Sequence, residues 1–224
     1  MPATPSAGRR YDAAGRRAAA ERSRRAVLDA CRYLVLRDGY RATSVRAVAQ
    51  RAGVSAETVY KAFGNKPGLM KAVYDTALAG DDAPVPMGER PELLAVLGTA
   101  DPVDKLRGYA RFVCGVHQRL GELQAVLAAA DPDLADLAAE TDRERLTGVT
   151  AFVTHLRAAG HLAAGLDPVR AADACWALTS PQLYALLVNT RGWTPEEYQD
   201  QLADLLVTAL LGMAPGTPRD PTRN

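Results

Sequence analysis

Apolar residues recur every three or four positions through most of this chain, and the strict alternation of a half-buried strand is absent. An all-α fold follows. A first helix is predicted from near Ala18 to Asp38, its apolar stripe made by Val27, Ala30, Cys31, Leu34 and Val35, with Gly39 closing it. Two short helices come next. Thr43 or Ser44 can cap the first, whose apolar side is Val45, Val48, Ala49 and Ala52; Ser55 caps the second, whose Val59, Ala62 and Phe63 face back toward the first. Gly53 stands where the chain must turn, a place for positive φ, and Val54 follows as an apolar plug. A fourth helix is expected to begin around Asn65 to Gly68 and to run to about Ala79.

The stretch GDDAPVPMGERP, residues 80–91, has the proline and acidic content of a loop joining two domains. Beyond it the pairs Asp101-Pro102, Asp131-Pro132, Asp167-Pro168 and Thr194-Pro195 each set a capping residue before a proline suited to the first helical position. Thr194 also has Glu197 three residues on, a capping box. These starts predict helices near 102–119, 133–159, 168–190 and 195–212, with a shorter one around 121–130. Pro181 falls inside one of them and predicts a kink. Residues 1–17 read as a disordered basic arm, 18–79 as one domain with its linking helix, 80–213 as a larger helical domain and 214–224 as a loose tail.

Two short helices around a glycine turn form the geometry that sets the second helix in a DNA major groove. Polar residues on the faces left over, among them Arg46, Glu57, Thr58, Tyr60 and Lys61, are available to meet it. The residues Gly53-Val54-Ser55, Thr58-Val59-Tyr60, Phe63-Gly64-Asn65-Lys66 and Leu69 resemble the N-terminal signature of TetR-type transcriptional regulators, over about Arg25 to Leu78. That resemblance implies a three-helix DNA-binding domain with a linking fourth helix, followed by a helical ligand-binding and dimerisation domain. It also implies that the last two helices, near 168–190 and 195–212, meet their symmetry mates in a four-helix bundle, so that a homodimer reads a near-palindromic site. Two departures stand out. Ala62 replaces the His or Tyr often found before the Phe, removing one candidate backbone contact, and the recognition helix begins with Ala56, which has no hydrogen-bonding side chain.

Roles on DNA follow from position. Thr43 and Ser44, at the start of the first motif helix, can offer a hydroxyl and backbone amides to a phosphate; Ser55 and Ala56, which open the second, are counted among the DNA-binding residues. Thr58 and Tyr60 offer hydroxyls, and Lys66 lies at the fourth helix N-terminus; in similar regulators the matching Tyr and Lys positions anchor phosphates. Arg46, Glu57, Lys61 and Tyr60 are the candidates for base edges, Arg and Lys for guanine and Glu for cytosine. Glu57 has an equal alternative role, favourable charge at a helix N-terminus.

Net charge sharpens the division. The chain totals +1, yet residues 1–66 hold 14 Lys or Arg against 5 Asp or Glu, which leaves the remainder near −8. A basic head and an acidic body suit one surface made for phosphates and another kept off them. With 224 residues and 48% hydrophobic content the chain can bury a substantial core, no apolar run is long enough to span a bilayer, and no signal peptide is evident. A cytoplasmic protein is expected. Three widely spaced cysteines, Cys31, Cys114 and Cys175, in apolar helical contexts read as buried thiols rather than a disulfide framework, with a redox sensor as the lesser reading.

An effector pocket would form among the helices of 102–190. The polar and aromatic side chains on otherwise apolar faces there are Tyr109, Phe112, His117, Gln124, His155, Trp176, Gln182 and Tyr184, while Gly108 and Gly115 loosen one helix. No cofactor is implied. Cys114 and His117 share a helix face, but a zinc site needs further ligands at matching spacing, and no phosphate loop, nucleophile elbow or paired acids stand out. An enzyme is therefore not expected. Two readings remain: a regulator, by its resemblance a repressor, released from a palindromic operator by a small molecule, and an architectural or constitutive DNA-binding factor that needs no ligand.

Overall fold

The computed structural model describes residues 8–81, 85–129 and 131–213, and every regular element among them is helical. The chain divides into two compact units. The first comprises the N-terminal residues through Asp82 together with Ala125–Leu137.

Four helices build most of this first unit: α1 (Gly8–Asp38), α2 (Val45–Ala52), α3 (Ala56–Phe63) and α4 (Lys66–Ala79). Helix α1 starts at Gly8, well before the expected Ala18. The run of Ala and Arg there carries high helix propensity and no proline, and that outweighs its lack of an apolar stripe. Residues 1–7 of the expected arm lie outside the described residues, as does the tail 214–224. The turn after α2 is closed by Gly53 at φ 68°, whose N–H and that of Val54 reach back to the last carbonyls of the helix. α1 packs on α2 and α4, and α3 packs on α2 and α4. Val27, Cys31, Val35, Val48, Val59, Leu69 and Met70 are buried there, each Val or Leu contributing about 1.5–3 kcal/mol by leaving water.

Gly68 was not singled out by the periodicity, yet it is the tightest point of the unit. A Cβ on it would overlap the Phe63 carbonyl oxygen, so the α3–α4 corner closes only around glycine. The Ala125–Leu137 segment brings Leu134, fully buried, and Asp131, whose carboxylate accepts from the Arg41 guanidinium at 3.1 Å.

The second unit begins with a 3-10 turn (Met87–Glu89) and α5 (Pro91–Gly98). Helix α5 is absent from the sequence expectation. Its N-cap is Arg90, which makes no side-chain cap bond, so the usual start signal is missing. α6 (Pro102–Ala128) joins the two helices expected at 102–119 and 121–130 into one, bent at Gly121, where the backbone leaves helical values. Asp131 caps a 3-10 turn (Pro132–Leu134) that leads into α7 (Ala135–Ala158).

The helix expected at 168–190 is broken rather than kinked. α8 (Pro168–Leu178) ends at Thr179, Ser180 caps a new start through the Leu183 amide, and Pro181 takes the first position of α9 (Pro181–Tyr184). A π-helical segment, Ala185–Thr190, continues α9. α10 (Pro195–Leu211) starts with the expected capping box. Its apolar face, expected as a dimer surface, is largely used within the unit: Tyr198, Leu202, Leu206 and Leu210 are buried in a core shared with Leu106, Phe152, Leu156 and Cys175. Leu205 and Ala209 stay half-buried, and Leu186 on the π segment is 58% exposed.

Candidate functional site

In the first unit, α3 presents its polar face on a frame set by three caps. Ser44 Oγ accepts from the Ala47 amide at 3.1 Å, Ser55 Oγ from the Thr58 amide at 3.1 Å, and Asn65 Oδ1 from the Gly68 amide at 2.8 Å. The Ser55 and Thr58 hydroxyls also lie 2.9 Å apart. These bonds use some of the orphan amides at each helix start and leave neighbouring ones directed outward. Arg24 lies 4.9 Å above the Phe63 ring, tying α1 to the end of α3.

Seven of the ten residues expected on DNA are exposed: Ser44, Arg46, Ser55, Glu57, Thr58, Tyr60 and Lys61. Tyr60 is 53% exposed, which leaves its ring and hydroxyl open to solvent on α3. Ala56 is half-buried at the first turn of α3. Thr43 needs correction as a surface contact. It is 4% exposed and its hydroxyl donates to the Gly39 carbonyl at 2.9 Å, so it holds the α1–α2 turn, and Ser44 alone caps α2. Lys66 is half-buried: its Nζ stands 3.9 Å over the Tyr40 ring and 3.5 Å from the Arg41 carbonyl, which holds the ammonium beside the start of α4.

The eight residues expected in an effector pocket separate into distinct places in the second unit. His117 is 2% exposed at the centre of one cluster. Its Nε2 lies 3.2 Å from the Thr179 carbonyl, so that nitrogen carries the proton, and Nδ1 accepts from the Gln124 amide at 3.3 Å. The Tyr184 ring is 5.0 Å away and that of Tyr198 6.1 Å. Burial pushes the imidazole down to about 4, with the Arg145 charge adding to the effect and the bonds to Thr179 and Gln124 opposing it. Arg145 stacks on Trp176 at 4.4 Å and donates to its carbonyl at 2.6 Å. Sequence reasoning missed Arg145, Thr179 and Tyr198, because a charged residue on a long amphipathic helix and a core tyrosine carry no local signature.

Tyr109 stacks on Phe152 with centroids 3.7 Å apart and belongs to the core. His155 turns instead to Lys105, whose Nζ is 3.0 Å from its Nε2 and whose ammonium burial disfavours. Gln182 is exposed on α9 and joins none of these groups, because the break at Thr179 and Ser180 reorients the helix that would have turned it inward. Phe112 lines an open groove of about 520 Å³ against α5. The Cys114 thiol donates to the Pro195 carbonyl at 3.3 Å.

Comparison with known proteins meets this geometry in the first unit. Residues 27–73 match the family described as bacterial regulatory proteins, tetR family. A stretch of 47 residues is 43% identical to an uncharacterized HTH-type transcriptional regulator, YvkB, of Bacillus subtilis (strain 168); it spans 21% of this chain and 25% of that one. Among solved structures, NalD, the secondary repressor of the MexAB-OprM multidrug efflux pump in Pseudomonas aeruginosa, superposes with a TM-score of 0.64 at 22% identity, covering 85% of this chain and 96% of its own. FadR of Bacillus subtilis, in complex with stearoyl-CoA, gives 0.62 at 19% identity over 83% and 98%. The helix-turn-helix of this chain thus matches the N-terminal domain of tetR-family regulators, and the described residues share the all-α fold of the TetR-type regulators they superpose on.

Proposed function

We propose that this protein is a sequence-specific DNA-binding transcriptional regulator, a homodimer released from a palindromic operator by a small-molecule effector. The observation that carries the reading is the exposed face of α3. Its polar side chains stand clear of the unit while Val59 anchors the helix from behind. In this reading Ser44, Thr58, Tyr60 and Lys66 hold phosphates, and Arg46, Glu57 and Lys61 meet base edges. The second copy would dock on the surface bearing Leu186, Leu205 and Ala209, and half-sites would lie about 34 Å apart. The effector would bind the second unit. Release requires the effector to favour the DNA-incompetent state by a coupling of about 1–3 kcal/mol.

Selection of random duplex DNA by the purified protein tests this. A near-palindrome is expected. Recovery of sequence-independent, steeply salt-sensitive binding alone would refute it in favour of an architectural factor.

A further inference from the structure

Interior rings of the second unit stack on one another, as Tyr109 does on Phe152, and a groove opens between α5 and α6. Its volume of about 520 Å³ is that of a small-molecule site. Its apolar lining is buried Val96 and half-buried Phe112, with exposed Ala95 beside them. Along its edge, α6 sets Arg107, Arg111, Gly115 and Arg119 on successive turns of one face. Arg107 is engaged by Asp104 at 3.3 Å, and Glu92 adds the other carboxylate of the lining.

Two glycines shape the space, for different reasons. A Cβ on Gly108 would press within 3.3 Å of Val96, so that glycine serves the approach of α5. A Cβ on Gly115 would meet only Arg119 Nη1, at an ordinary 3.5 Å. Packing therefore does not require glycine at 115, although glycine is a poor helix former. What its missing side chain leaves is open groove, with the Arg119 guanidinium lying over it and Arg111 one turn before.

We infer that this groove is the seat of the effector, and that the effector is a small amphipathic anion: an apolar or aromatic body on Phe112 and Val96, with a carboxylate or phosphate held by Arg111 and Arg119. The inference rests on the reading of the protein as an effector-responsive regulator.

Calorimetry on the full chain with three naphthalene probes tests it: 2-naphthoate, 2-naphthyl phosphate and the neutral 2-naphthamide, with inorganic phosphate as the anion lacking a ring. The two ring anions are expected to bind one per chain, and the tighter of them assigns carboxylate or phosphate. The amide and inorganic phosphate should bind about tenfold weaker or less, as expected for loss of charge-assisted bonds or of the ring contact. Arg111→Gln and Gly115→Leu should each weaken the ring anions by about tenfold, whereas Arg170→Gln, at an exposed position of α8, should not. Gly115→Leu improves helix propensity, so a melting temperature at or above that of the parent shows the fold intact. Equal binding of naphthoate and naphthamide, or binding that survives both groove substitutions, overturns the inference. Anion binding as expected with no loss of affinity for the selected operator overturns the groove as effector seat. Failure to bind any duplex without probe removes the regulator reading instead, and the calorimetry then decides the groove alone.

Discussion

Protonating His117 should destabilise this protein, and the size of the effect can be worked from its surroundings. The imidazole is 2% exposed, and burial, reinforced by Arg145, holds it down to about 4 against 6.5 in the unfolded chain. Above about pH 6.5 both states are neutral at this site and stability does not depend on it. As pH falls below that, the unfolded chain takes up a proton that the folded one resists, so stability drops until the folded pKa is passed. The gap corresponds to about 3 kcal/mol when complete, and to about 2 kcal/mol between about pH 7 and pH 5. Structure gives the cause a second face. Nδ1 accepts from the Gln124 amide, so a proton there would set donor against donor and force that amide to turn. Urea unfolding followed by circular dichroism, at several pH values, measures the loss. His117→Gln cannot titrate, and its stability should fall less than the parent's over that interval by about 2 kcal/mol. Parallel pH slopes for the two proteins would refute the assignment, since they differ at this residue alone.

Other outcomes follow from the first unit and the thiols. Gly68→Ala should destabilise the helix-turn-helix by about 2 kcal/mol or more, read as a lower melting temperature, because its Cβ would overlap the Phe63 carbonyl oxygen. Ser55→Ala should cost about 1 kcal/mol of stability through the lost cap on the Thr58 amide, and should weaken binding to the selected duplex. Lys66→Ala should reduce affinity for all sequences and lower the salt slope by about one, whereas Lys61→Ala should alter base preference; the reverse pattern in a binding titration would exchange their roles. Cys31 and Cys175, each buried and pushed up to about 12 by desolvation, should resist a thiol reagent in the native protein and react only on unfolding. Rapid native labelling of either would restore the redox-sensor reading.

Much of the helix-turn-helix was determined locally, and so was legible. Ser44, Gly53, Ser55 and Asn65 act on amides or dihedrals within a few residues of themselves, and the stripe from Val45 to Val59 needs only helical periodicity to be recognised. The Asp-Pro and Thr-Pro helix starts were legible for the same reason, and α5 was not, since Arg90 makes no side-chain cap bond. What depends on distant residues was decided by tertiary packing. Thr43 left the surface because the α1–α2 turn offered the Gly39 carbonyl to its hydroxyl, and Gly68 became indispensable because the Phe63 carbonyl occupies the space beside it. The apolar face of α10 looked the same for a partner or for its own core; packing placed Leu202, Leu206 and Leu210 in the core and left Leu205 and Ala209 half-buried. Likewise eight candidate pocket residues shared apolar faces in the sequence, but α6 faces α5 on one side and α7 and α8 on another, so His117 and Phe112 went to different places. Periodicity reports which side of a helix avoids water, and the neighbouring helices determine what that side meets.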